Sequence, residues 1–126
     1  MKFAYNPDPK KSVKVYGRSI RVSTKNSATV CSAVTGTTLA KAKRMLENLI
    51  AQKNSLDGRY YTKISGELLG LLKSAESNAD FKGMDADSMV VHASAHKAFK
   101  FRTPRRFKLG RKVRHLTNFQ VVLAIG

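Results

Sequence analysis

Residues 100–115 read KFRTPRRFKLGRKVRH, and no other stretch limits the fold of this chain so sharply. Eight of its sixteen positions are Lys or Arg, and none is acidic. Such a segment has no core of its own, and its like charges repel one another. Its flanks are nevertheless strand-like. Residues 88–96, SMVVHASAH, and 119–126, FQVVLAIG, are rich in Val, and the second places Phe119, Val121, Leu123 and Ile125 on one face. If these strands pair, 96–118 is their connection, which is too long for a tight turn. Folded back on itself it has about eleven residues per leg and projects roughly 35 Å at about 3.3 Å per residue. A two-stranded ribbon of that length is marginal alone in water. The segment is therefore either a disordered basic loop or a projecting arm that an anionic partner supports on several sides, and the interleaved Phe99, Phe101, Phe107 and Leu109 favour the arm.

The remaining patterns describe the body that carries the arm. Residues 1–12, with Pro7 and Pro9, read as an extended basic tail. Residues 13–22, VKVYGRSIRV, read as a strand. Val13 and Val15 share one parity, Ile20 and Val22 the other, so the register slips once and Gly17 marks the expected bulge. A short helix follows, with Ser23 as N-cap, a stripe of Val30, Ala33 and Val34, and Gly36 just past its end. A second helix, capped by Thr37 or Thr38, aligns Leu39, Ala42, Leu46, Leu49 and Ile50. A third, roughly over 62–80, aligns Ile64, Leu68, Leu71, Leu72, Ala75 and Ala79; within it Gly66 and Gly70 either weaken the helix or admit a close neighbour. These elements predict an α+β fold of three helices packed on a three-stranded antiparallel sheet, with a long basic β-hairpin arm projecting from it. The length suits a single domain, 1–126: tail 1–12, body 13–95 and 119–126, arm 96–118.

Charge decides the class of partner. The formal net charge is +16 and the pI about 10.4. An excess of that size points to a polyanion, nucleic acid first and an anionic membrane surface a distant second. Its distribution sharpens the point, because no acidic residue lies after Asp87 and Asp8 is the one acid in 1–27, whereas the middle of the chain is nearly balanced. Apolar runs are too short for a transmembrane helix, and the N-terminus lacks the apolar run of a signal peptide. With one cysteine, Cys31, no internal disulfide forms, which fits a reducing, cytoplasmic setting.

Along the arm, Lys100, Arg102, Lys108, Arg111, Lys112 and Arg114 are candidates for phosphate contact, and the interleaved Phe99, Phe101 and Phe107 can stack on bases or riboses. A second basic region comprises Lys10, Lys11, Lys14, Arg18, Arg21 and Lys25; it is either an RNA contact or a solvated strand face with a basic tail. Ser23 and Asn26 lie at a helix start, where free amides suit phosphate, though both residues also serve as ordinary caps. His92, His96 and His115 do not make a metal site: on a strand the first two lie about 13 Å apart, and the third needs the arm to curl back. Cys31 reads as a small apolar core residue. With no Ser-His-Asp spacing, phosphate loop or dinucleotide loop, neither an enzyme nor a cofactor is expected.

Several strings resemble a known family. GRSIRVSTKNSATVCSAVTGTTLAKAKRMLENLI is similar to the strand–helix–helix opening of the universal large-subunit ribosomal protein whose hairpin lines the peptide exit tunnel. That protein is the twenty-second of the large subunit in bacteria and the seventeenth in many eukaryotes. LLKSAESNADFKGMDADSMVVH resembles its archaeal and eukaryotic branch, and HKAFKFRTPRRFKLGRKVRH resembles the hairpin by position, by Lys97, by its Arg pair and by Gly110-Arg111. The resemblance spans about 14–125. It implies a structural constituent of the large ribosomal subunit that binds folded rRNA, with Lys97 joining the contacts above and Arg105, Arg106 and Phe107 at the tunnel tip. It also implies neighbouring ribosomal proteins and the nascent polypeptide as partners, with no membrane and no homo-oligomer. The alternative is a free architectural DNA- or RNA-binding protein with a basic β-arm, which would bind linear duplex as well as structured RNA.

Overall fold

The computed structural model describes residues 5–56, 58–102 and 113–125, with the backbone alone at 99–102 and 113–115. Three helices and three strands follow a short 3-10 turn at Pro9–Lys11. They are β1 (Ser12–Ile20), α1 (Thr24–Val34), α2 (Leu39–Ile50), α3 (Thr62–Phe81), β2 (Val90–Arg102) and β3 (Val113–Ala124), with a second 3-10 turn at Ala86–Ser88 before β2. The sheet is antiparallel in the order β1-β3-β2, so the last strand is the central one. This is the expected α+β architecture.

The register fixes what each face carries. Val13, Leu123 and Val91 lie abreast, then Val15, Val121 and Ala93, then Gly17, Phe119 and Ala95. These rows face the helices, and Phe119, Val121, Leu123 and Val91 are fully buried there. The helices supply Val30, Val34, Leu39, Leu46, Leu68 and Leu72 from the other side, all at zero exposure. Burying each such side chain is worth about 1.5–3 kcal/mol, which is what a short amphipathic helix needs to be stable.

Local signals set the boundaries. The Ser23 hydroxyl accepts the Asn26 N–H at 3.4 Å, and Gly36 takes φ +87° immediately after α1. The connector to α2 then docks on the open edge of β2. Gly36 N–H donates to Val91 O, Val91 N–H to Thr37 O, and Leu39 N–H to Met89 O, at 2.8–3.0 Å. The Thr35 hydroxyl bridges both the N–H and the C=O of Ala93. This edge is therefore covered rather than left to pair with another chain.

Several sequence expectations need correction. Ile50 and Ile125 are exposed rather than core residues, at 38% and 57%, because Ile50 is the last residue of α2 and Ile125 follows the end of β3, both beyond the layer they would pack against. Leu71 is half-buried, while Leu69 and Ser65 join the buried face of α3. Gly66 and Gly70 are exposed with nothing near the position of a Cβ, so they admit no neighbour. Within residues 5–12 there is a 3-10 turn at Pro9–Lys11, where the Asp8 carboxylate accepts the Lys10 N–H, and Lys11 O accepts the Ile125 N–H. The strand ladder also runs beyond the body and into the arm. Lys97 pairs with Thr117; after a register shift, Lys100 pairs with His115, Phe101 with Arg114 and Arg102 with Val113.

Candidate nucleic-acid interface

The root of the arm is built by one irregularity in β1. The register shifts between Gly17 and Ile20, so Arg18 and Ser19 together oppose Asn118. Ser19 takes the left-handed conformation, φ +54°, which is uncommon for a residue with a Cβ. Its N–H donates to the Asn118 side-chain oxygen at 2.8 Å, replacing the ladder bond that the bulge removes. One residue on, the buried Thr117 hydroxyl donates to Val22 O at 2.7 Å and meets the Thr24 hydroxyl at 2.8 Å. The β1–α1 loop is thereby stitched to the strand that leads out to the arm.

That stitching decides where the cations stand. Arg18, Arg21 and Lys25 are exposed on the bulge, the loop and the first turn of α1, and Lys97 is exposed where β2 leaves the body. All four belong to the end of the sheet from which the arm departs. Asn26 is half-buried, with its N–H on the Ser23 cap. Lys10, Lys11 and Lys14 are exposed too, but the structure does not bring Lys10 and Lys11 to the arm. They precede Ser12, at the far end of β1, about 26 Å from Ile20 at about 3.3 Å per residue. The second basic region of the sequence is therefore two clusters at opposite ends of the sheet. Lys100, Arg102 and Arg114 have their backbone on the arm ladder and their side chains outside the described residues. Arg105, Arg106, Phe107, Lys108, Arg111 and Lys112 lie wholly outside the described residues.

Sequence reasoning did not single out two further residues that the structure places near the candidate surfaces. Lys82 sits in the balanced middle of the chain, yet α3, about 30 Å long for twenty residues at 1.5 Å each, carries it to the Lys10–Lys11 end. There its Nζ donates to Ser12 O at 3.5 Å. Tyr5 stacks on His92, ring centroids 4.2 Å apart and planes 31° apart, on the face of the sheet away from the helices. The signal available was an aromatic inside a basic tail, but nothing in the sequence names its distant partner.

The arrangement suits binding rather than catalysis. No Asp or Glu occurs on any of the three strands. Glu47 lies on α2 and Glu67, Glu76 and Asp80 on α3, where Glu76 accepts from Lys43 Nζ at 2.7 Å, and that contact raises the Lys43 pKa above its ordinary value. Burial pushes the Cys31 thiol up to about 12, far from a nucleophile. Among the described residues, no group of three or more His, Cys, Asp or Glu stands close enough to hold a metal ion, and no helix is long and apolar enough to cross a membrane.

Comparison with known proteins agrees with the geometry. The family described as ribosomal protein L22p/L17e matches residues 15–124. A large ribosomal subunit protein uL22 from Zea mays is 36% identical over 81% of this chain and 74% of its own length. One from Methanococcus aeolicus is 28% identical over 98% of this chain and 95% of its own. One from Archaeoglobus fulgidus is 29% identical over 75% of each.

Proposed function

Because the chain belongs to the ribosomal protein L22p/L17e family, a family of structural proteins of the large ribosomal subunit and not of enzymes, we propose that it binds and stabilises folded large-subunit rRNA with its arm and lines the nascent-peptide exit tunnel with the arm's tip. The observation that carries this reading is the β2–β3 ladder. It continues out of a packed core into the basic segment, with Arg18, Arg21, Lys25 and Lys97 exposed at the point of departure. The body's task is to hold that ribbon in a fixed direction. Lys and Arg neutralise phosphates that bare RNA cannot pack closely, and counterions are released. Lys100, Arg102, Lys108, Arg111, Lys112 and Arg114 act along the shaft, Arg105, Arg106 and Phe107 at the tip. Lys10, Lys11 and Lys14 form a second rRNA contact at the other end of the body. Neighbouring ribosomal proteins and the nascent polypeptide are the remaining partners. The chain works as one copy in the cytoplasmic subunit.

The test pairs two double variants. Arg111→Ala with Arg114→Ala should weaken rRNA binding and flatten its salt dependence by about one unit of slope for each phosphate no longer neutralised. Arg105→Ala with Arg106→Ala should leave subunit incorporation nearly intact and change ribosome pausing on a stall-prone nascent peptide. If the tip pair loses incorporation as badly as the shaft pair while pausing is unchanged, the division between shaft and tip is wrong. If wild-type protein binds linear duplex DNA as tightly as rRNA and does not cosediment with large subunits in moderate salt, it is a free nucleic-acid-binding protein instead.

A further inference from the structure

The sheet has a second face, opposite the helices, which the arm does not need. Lys14, Val122 and His92 lie abreast on it, then Tyr16, Gln120 and Ser94. Tyr5 crosses this face and stacks on His92. The stack closes one side of a cleft of roughly 170 Å³ lined by Tyr5, Thr35, His92, Ser94, Gln120 and Val122. That volume is below the roughly 300–1,000 Å³ of a drug-sized pocket and leaves room for one small ring system. Tyr5 is 43% exposed although it already packs on His92.

We propose that this cleft takes a single unpaired RNA base, stacked against the Tyr5–His92 pair, with Ser94 and Gln120 beside its polar edge. Three observations converge on that occupant. One wall of the cleft is the Tyr5–His92 aromatic pair, on which any base can stack. Its strands carry no acid, and Lys14 lies in the same row as His92, across Val122, with its amine on the Asn6 side-chain oxygen at 2.9 Å, so a phosphodiester on the β1 side of the base meets positive charge and none meets a strand carboxylate. The same strands lead directly into the arm: from His92 to Lys97 is about 16 Å at about 3.3 Å per residue, so RNA following the arm's root reaches the cleft without leaving the protein. The proposal rests on the RNA-binding reading above, and its test separates the two.

The full chain is titrated with a ten-nucleotide single-stranded RNA of mixed sequence and with an abasic oligomer of the same length and charge. Tyr5→Ala should weaken binding of the base-bearing oligomer about tenfold, within the range measured for one base–aromatic stack. It should leave the abasic oligomer unaffected. Tyr5→Phe should restore binding. The ring proton resonances of His92 should move with the base-bearing oligomer and stay in place with the abasic one. Equal weakening of both oligomers by Tyr5→Ala, no weakening of either, or an unmoved His92 overturns the cleft while leaving the rRNA reading intact. A His92 shift produced by an acidic peptide and not by RNA overturns it in favour of a protein partner. Failure of the wild-type chain to bind either oligomer or rRNA removes the RNA-binding reading itself.

Discussion

Cys31 illustrates how far burial alone settles a residue's role. It sits in α1 at 2% exposure, its thiol raised to about 12 by desolvation. A thiol with a raised folded value favours folding only while it stays protonated. Its contribution is complete below the unfolded value of about 9 and is lost as pH climbs from there toward 12. Wild type should therefore lose stability relative to Cys31→Ala between pH 9 and 11, by up to about 1.4 kcal/mol per pH unit. The comparison of denaturant midpoints for the two proteins at each pH isolates this thiol from the lysines that titrate in the same range. Parallel midpoints would mean that the thiol ionises inside the fold. The sequence marked Cys31 as apolar core correctly, because a small residue on the helix's inward stripe has few other places to be. It could not mark Ser19. The left-handed turn there depends on Asn118, ninety-nine positions away, and no local pattern encodes such a partner.

Among the elements, periodicity was a good guide wherever one face met the core and a poor one at the ends. Leu39, Ala42, Leu46 and Leu49 lie where a 3.6-residue repeat puts them, whereas Ile50 obeys the same repeat and is exposed, because α2 stops there. The expected bulge near Gly17 exists, between Gly17 and Ile20. A Cβ at Gly17 would stand 2.9 Å from Ile20 Cδ1 and 2.9 Å from Leu71 Cδ1, so the ends of these two side chains fill the space and would have to shift to admit it. Gly17→Ala should cost about 1 kcal/mol, the low end of overpacking, because the atoms in the way are side-chain ends that can move. Because the obstacle is partly a flexible leucine, Gly17→Ala with Leu71→Ala should be less destabilised than the sum of the two single changes. A thermal or denaturant double-mutant cycle measures that coupling. Strict additivity would place the strain in the backbone of the bulge instead. Strand order was less legible than strand existence. That β3 is central follows from β1 and β2 both pairing with it, a long-range choice that alternation within a strand does not record.

The division between body and arm follows from where the buried side chains are. Every described core residue lies outside 99–114, and the rows from Val13–Leu123–Val91 to Gly17–Phe119–Ala95 complete the sheet's apolar face before the arm begins. The Ser19–Asn118 and Thr117–Val22 hydrogen bonds close the end of that sheet independently of the ribbon beyond it. Removing the arm therefore takes away like charges that repel one another and none of the described core residues. Replacing 99–114 with a short Gly-containing turn should leave a monomer that melts in one cooperative transition, its midpoint within a few degrees of wild type, since about 1 kcal/mol corresponds to roughly 4–8 °C in a domain of 60–100 residues. The same protein should fail to enter large subunits in competition with wild type, because the stitched root then has no ribbon to aim. A broad, noncooperative melt would mean that the arm strands are part of the core. Normal incorporation would shift the weight of rRNA binding to the exposed cations of the body, Arg18, Arg21 and Lys25 at one end and Lys10, Lys11 and Lys82 at the other. In that case neutralising either cluster in the armless protein should lower the salt slope by about one unit for each phosphate that then keeps its counterion.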